Sequence, residues 1–152
     1  MQNYNNKEYG GYLPIESFLT DRNSHYFEYE DKATVLLNCG RACFYVAARS
    51  IEIEKIYIPY FNCKETAQPF KDLKIPYSYY FLNKDLLPDN IILQKNEYIL
   101  WTNYYGNASD KVISLISDKY GGQLIVDNCH AFFCPPLKNA FNCYSARKFI
   151  GV

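Results

Sequence analysis

Short apolar stretches alternating with segments of helical period constrain this chain more than any other feature. Lys55-Ile56-Tyr57-Ile58-Pro59 reads as a strand cut off by proline, and Pro76 to Phe81 reads as a second strand. Tyr98 to Asn103 is a third, Leu124-Ile125-Val126 a fourth, and Asn142 to Ser145 a candidate fifth. Ala33 to Leu37 adds an apolar strand ahead of the first helix. That helix runs from Arg41 to about Ser50 with Phe44, Ala47 and Ala48 on one face. A second, capped by Asn62, passes through Glu65, Ala67, Phe70 and Leu73, and Pro69 shortens or kinks it. A third carries Val112, Ile113, Leu115 and Ile116 on its apolar side and ends at Gly121-Gly122. This alternation predicts a three-layer α/β domain, a mostly parallel sheet with helices on both faces. Such sheets receive ligands beyond the carboxyl ends of their strands. Pro59-Tyr60-Phe61, Asn103-Tyr104-Tyr105-Gly106 and Asp127-Asn128-Cys129-His130 are therefore expected to gather at one edge.

Residues 1–30 lack a sustained period and are expected to form an N-terminal arm, leaving 31–152 as one domain. With 16 basic and 16 acidic residues the formal net charge is zero, which excludes the footprint of a nucleic-acid or anionic-membrane binder. No apolar run is long enough to span a bilayer, and the opening Met1 to Lys7 has no apolar core of a secretory signal. Cytoplasmic placement is the expectation. Cys39, Cys43, Cys63, Cys129, Cys134 and Cys143 include no Cys-x-x-Cys pair, so zinc-ribbon spacing is absent and buried free thiols are expected. Gly-x-Gly-x-x-Gly and Gly-Lys-Ser/Thr are also missing, which ranks a nucleotide-binding domain last.

The chemistry resides in an acid and a lysine. Asp127 follows the apolar Leu124-Ile125-Val126, and Lys148 follows Cys143-Tyr144-Ser145. Taken alone, an aspartate ending a strand is more often a helix cap, and most lysines are solvated surface groups. Together they suggest a site for pyridoxal phosphate (PLP): the lysine forms a Schiff base with the aldehyde, and the acid pairs with the pyridinium nitrogen. Such a lysine must be neutral to attack, through desolvation or a nearby cation. Gly40-Arg41-Ala42 opens a helix whose free amides suit a phosphate, with Ser145 and Cys143 as further candidates near it. His130 reads either as a packed, hydrogen-bonded residue or as a group steadying Asp127 or the cofactor's ring oxygen.

The order of these segments resembles the DegT/DnrJ/StrS-type sugar aminotransferases, PLP-dependent enzymes of fold type I. Gly10 to Glu16 and Leu37-Asn38-Cys39-Gly40-Arg41 resemble the family's opening segments, and Ile58-Pro59-Tyr60 its strand-ending proline. Val126 to Ala131 resembles the acid segment, with Asp127 in the pyridine-nitrogen position and His130 where members carry His or Gln. Tyr144 to Phe149 resembles the lysine segment, with Lys148 in the Schiff-base role. The resemblance implies a keto sugar (nucleotide-linked) or related ketone as acceptor, an amino-acid donor such as glutamate, and a homodimer. It departs from the family where many members stack a Trp or Phe on the ring, since Cys63 stands there. Members also continue well beyond the lysine, so the resemblance implies an incomplete PLP-binding large domain. A non-catalytic remnant that self-associates through its open sheet is the rival expectation.

Overall fold

The computed structural model describes residues 34–149. The expected arm, and with it the Gly10 to Glu16 segment, lies outside the described residues. Among the described residues, five strands form one sheet: β1 (Lys55–Pro59), β2 (Tyr77–Tyr80), β3 (Glu97–Thr102), β4 (Leu124–Asn128) and β5 (Phe141–Tyr144). Their spatial order is β2-β1-β3-β4-β5, and every neighbouring pair is parallel. The helices are α1 (Gly40–Ser50), α2 (Gln68–Asp72) and α3 (Asp110–Tyr120).

Alternation along each strand sorts the core into two layers. Ile56, Ile58, Leu100, Ile125 and Cys143 face α1 and α2, meeting Phe44, Ala47, Ala48, Ala67 and Phe70. Ile99, Trp101, Leu124 and Val126 face the other way, against Ile116 and Tyr120 of α3. The fold is thus a three-layer α/β arrangement with helices on both faces of an all-parallel sheet. β4 lies inside the sheet with all five residues buried, as a strand covered on both faces must be. The connection between β2 and β3 is tied to the α3 side by Trp101 Nε1, which donates to the Leu86 carbonyl at 3.2 Å, and by the Tyr120 hydroxyl, which donates to the Ile91 carbonyl at 3.0 Å. None of the helices among the described residues is long and apolar enough to cross a membrane.

Several local expectations change. Residues 34–37 join no strand ladder, so the loop before α1 is not a sheet element. Asn62 caps no helix. Its Oδ1 accepts from the Cys63 amide at 2.7 Å and its Nδ2 donates to Thr102 Oγ1 at 2.8 Å, tying the loop to β3. A single 3-10 turn, Lys64–Ala67, follows, and Pro69 sits in the first turn of α2, where a missing N–H costs nothing. On α3, Leu115 is 49% exposed, and the buried stripe is instead completed by Tyr120, one turn beyond Ile116. Ser109 caps that helix by accepting from the Val112 amide.

Candidate active site

The carboxyl edge of the sheet on the α1 side is assembled from β3, β4 and β5. Thr102, Asp127 and Cys143 stand side by side in register across the three strands. Asp127 lies two residues past Ile125 and so shares its face of the sheet. It is only 5% exposed, and its Oδ1 accepts from the Cys129 amide at 3.0 Å, which fixes the turn leaving β4. Asn128 falls on the opposite face. There it accepts at Oδ1 from Asn103 Nδ2 at 3.3 Å, while Asn128 Nδ2 and Asn103 Oδ1 stay without a hydrogen bond.

Gly40 starts α1 against this edge. A Cβ at Gly40 would lie 2.8 Å from Cys129 Sγ and 3.6 Å from Ser145 Cβ, so the helix start, the Asp127 turn and the exit of β5 meet there. Cys39 precedes the helix and its side chain makes no capping bond, nor does Ser145 cap the short turn Ala146–Lys148 that follows it. Arg41 contributes no free side chain, because its guanidinium pairs with Glu65 at 3.0 Å. Ala42 donates its amide back to the Cys39 carbonyl at 3.0 Å. Cys143 is 3% exposed and belongs to the core cluster on the α1 side of the sheet.

Gly40→Ala is expected to cost about 1–3 kcal/mol of stability through the clash with Cys129, more than the gain in helix propensity. Adding Cys129→Ala should recover most of that loss in denaturant midpoints. Equal midpoints for Gly40→Ala and the wild type would refute the close approach.

Lys148 stands exposed in the turn Ala146–Lys148. Its ammonium and the Asp127 carboxylate both act on His130 and on Cys129, with opposite sign. Burial pushes the Cys129 thiol far above the ordinary thiol value, and Asp127 adds to that. His130 stacks on Tyr105, with ring centroids 5.4 Å apart and an interplanar angle of 16°. Its Nδ1 is buried without a hydrogen-bond partner. Tyr105 itself holds φ 58°, an uncommon value for a non-glycine residue. Tyr104 next to it is buried and donates to the Phe61 carbonyl, and burial raises its phenol to about 12.

Burial, then the nearby Lys148 charge, lower the His130 pKa, while Asp127 opposes them. The unfolded chain therefore takes up a proton at this site before the folded one does as pH falls. His130 contributes stability that is complete above the ordinary histidine value and is lost as pH drops through its folded value. Between pH about 7.5 and 5 the urea midpoint of the wild type should fall further than that of His130→Gln. Parallel falls would discard the shift.

The sequence marked the Asn103 to Gly106 segment as lying at this edge but gave it no role. The stacking of Tyr105 on His130 and the Asn62–Thr102 bond had no sequence signal beyond lying after strands. Cys43, which packs against the core cluster that holds Cys143, had none at all.

No protein-family model matches the chain, and no curated protein sequence does. Solved structures do. A Burkholderia pseudomallei protein assigned as an aminotransferase matches with a TM-score of 0.51 at 15% identity, over 72% of this chain and 38% of its own. GDP-4-keto-6-deoxymannose-3-dehydratase, solved with a trapped PLP-glutamate geminal diamine, matches at 0.46 and 16% identity over 66% and 30% of the two chains. Sphingosine-1-phosphate lyase of Burkholderia pseudomallei matches at 0.41 and 16% identity, over 72% and 32%. The chain thus spans well under half the length of each. The first match establishes a shared fold: the sheet and its helices correspond to part of that Burkholderia pseudomallei protein.

Proposed function

We propose that this chain carries the cofactor-holding residues of a PLP-dependent aminotransferase of the DegT/DnrJ/StrS type. The reaction moves an amino group from an amino-acid donor such as glutamate to a keto sugar (nucleotide-linked) or related ketone. The observation that carries the reading is the meeting, at one edge of the sheet, of the Gly40 helix start, the turn held by the buried Asp127 carboxylate, and the exit of β5 that leads through Ser145 to Lys148.

The residues present fit the cofactor. A helix start with no side-chain cap, a glycine at its first position and the neighbouring Ser145 hydroxyl form a cradle for a phosphate. Asp127 would hold the ring nitrogen, and the unpaired Nδ1 of His130 would turn to the ring oxygen. Lys148 would hold the cofactor covalently through Nζ. When bound, PLP supplies an electron sink for charge developing at the substrate carbon. Lys148 would move the proton at that carbon as general acid and base. Asp127, buried and held by the Cys129 amide, would keep a positive ring nitrogen paired and water away from it. Tyr60, Phe61, Phe81 and Tyr105 are exposed along this edge, which suits a homodimer whose second copy covers it. Six free thiols suit a reducing cytoplasm.

Purified protein mixed with PLP should turn yellow, and borohydride reduction should fix the label on the peptide containing Lys148. Lys148→Ala should lose both signals completely while keeping the wild-type circular dichroism. A colourless wild-type protein that sediments as a self-associated species would favour the non-catalytic reading instead.

A further inference from the structure

Beneath this edge lies a pair of sulfurs that the proposed reaction does not use. Cys43, in the first turns of α1, directs its Sγ toward the carbonyl oxygens of Tyr144 and Cys39, each 3.9 Å away. Cys143 on β5 belongs to the core cluster against which Cys43 packs, and the Tyr144 carbonyl that Cys43 Sγ approaches is that of the next residue along β5. Helix and strand thus bring two thiols to one side of the sheet, one half-buried and one in the core.

We propose that Cys43 and Cys143 are a redox modification site that closes to a reversible disulfide under hydrogen peroxide. Cys43 Sγ attacks one peroxide oxygen: the S–O bond forms, the O–O bond breaks, and the departing hydroxide takes a proton to become water. Cys143 Sγ then attacks Cys43 Sγ. The S–S bond forms, the S–O bond breaks, and the second hydroxide leaves with the Cys143 proton as water. Two thiols are oxidised and one peroxide is reduced to two waters.

The division of labour follows from the surroundings. The hydrogen bond from Cys143 lowers the Cys43 thiol to about 7, so a fraction is thiolate at neutral pH. Cys143, as hydrogen-bond donor and buried, is raised and keeps its proton until the leaving group can accept it. Cys129 is pushed far up by burial and Asp127, which makes it a poor attacking sulfur. The new bond would tie the first turns of α1 to the residue in register with Asp127. Nothing in this depends on the cofactor reading.

The test uses the full chain, reduced, treated with an equivalent of peroxide, then alkylated and digested without reductant. Mass spectrometry should find a peptide pair joined through Cys43 and Cys143, with the number of alkylated cysteines down by two and restored by dithiothreitol. Cys134→Ser should leave the link unchanged. Cys143→Ser should abolish it and carry Cys43 on to sulfinic acid. Cys43 still alkylated after peroxide, or joined to Cys39 or Cys129, would overturn the proposal. The wild-type map reads the link directly, whether or not the variants fold.

Discussion

Asp127→Asn is expected to weaken PLP binding roughly 30-fold or more while leaving the fold unchanged. Asparagine has the same shape, and its Oδ1 still accepts from the Cys129 amide, so the turn leaving β4 is kept. Only the charge disappears. At 5% exposure, water cannot replace the lost partner of a positive ring nitrogen. Removing one member of a buried hydrogen-bonded charge pair costs about 2–5 kcal/mol, and the lower bound already corresponds to that affinity loss. Titration of PLP by its visible absorption, beside thermal midpoints of the cofactor-free proteins, separates the two effects. An unchanged affinity would remove Asp127 from the site, and a large fall in midpoint would make it a structural residue.

Trp101→Ala is expected to cost about 3–5 kcal/mol of stability, a large part of the roughly 5–15 kcal/mol of an ordinary domain. Trp101 is 1% exposed in the α3-side core, and its Nε1 donates to the Leu86 carbonyl. Truncation empties the volume between β3 and the β2–β3 connection and strips that carbonyl of its donor. Trp101→Phe should cost less, because much of the ring volume stays. Urea denaturation followed by circular dichroism reads both, since the chain has a single tryptophan. A loss under 1 kcal/mol for Trp101→Ala would mean that the connection does not pack as described.

The strands were legible because strand formation is written locally. Ile56 and Ile58, Ile99 and Trp101, and Leu124 and Val126 keep a two-residue period or a buried run over their whole length. Residues 33–37 imitate that composition, yet the described residues 34–37 join no ladder, and composition cannot tell whether a neighbouring strand is there to pair with. Asn62 looked like a helix cap for the same reason. Its side chain is instead used by Thr102, far along the chain.

The sequence by itself determined the parallel α/β class, the place of Asp127 at the end of a buried strand, and the glycine that opens α1. These follow from periodicity and from residue types whose backbone preferences act within a few positions. Only the tertiary structure decided that Gly40 packs on Cys129 and Ser145, that His130 lies under Tyr105, and that Cys143 joins the core with Phe44 and Ala47 of α1. Each of those contacts joins residues from different strands or loops. Their meeting is set by strand order and register, which arise when the two faces of the sheet are buried against helices.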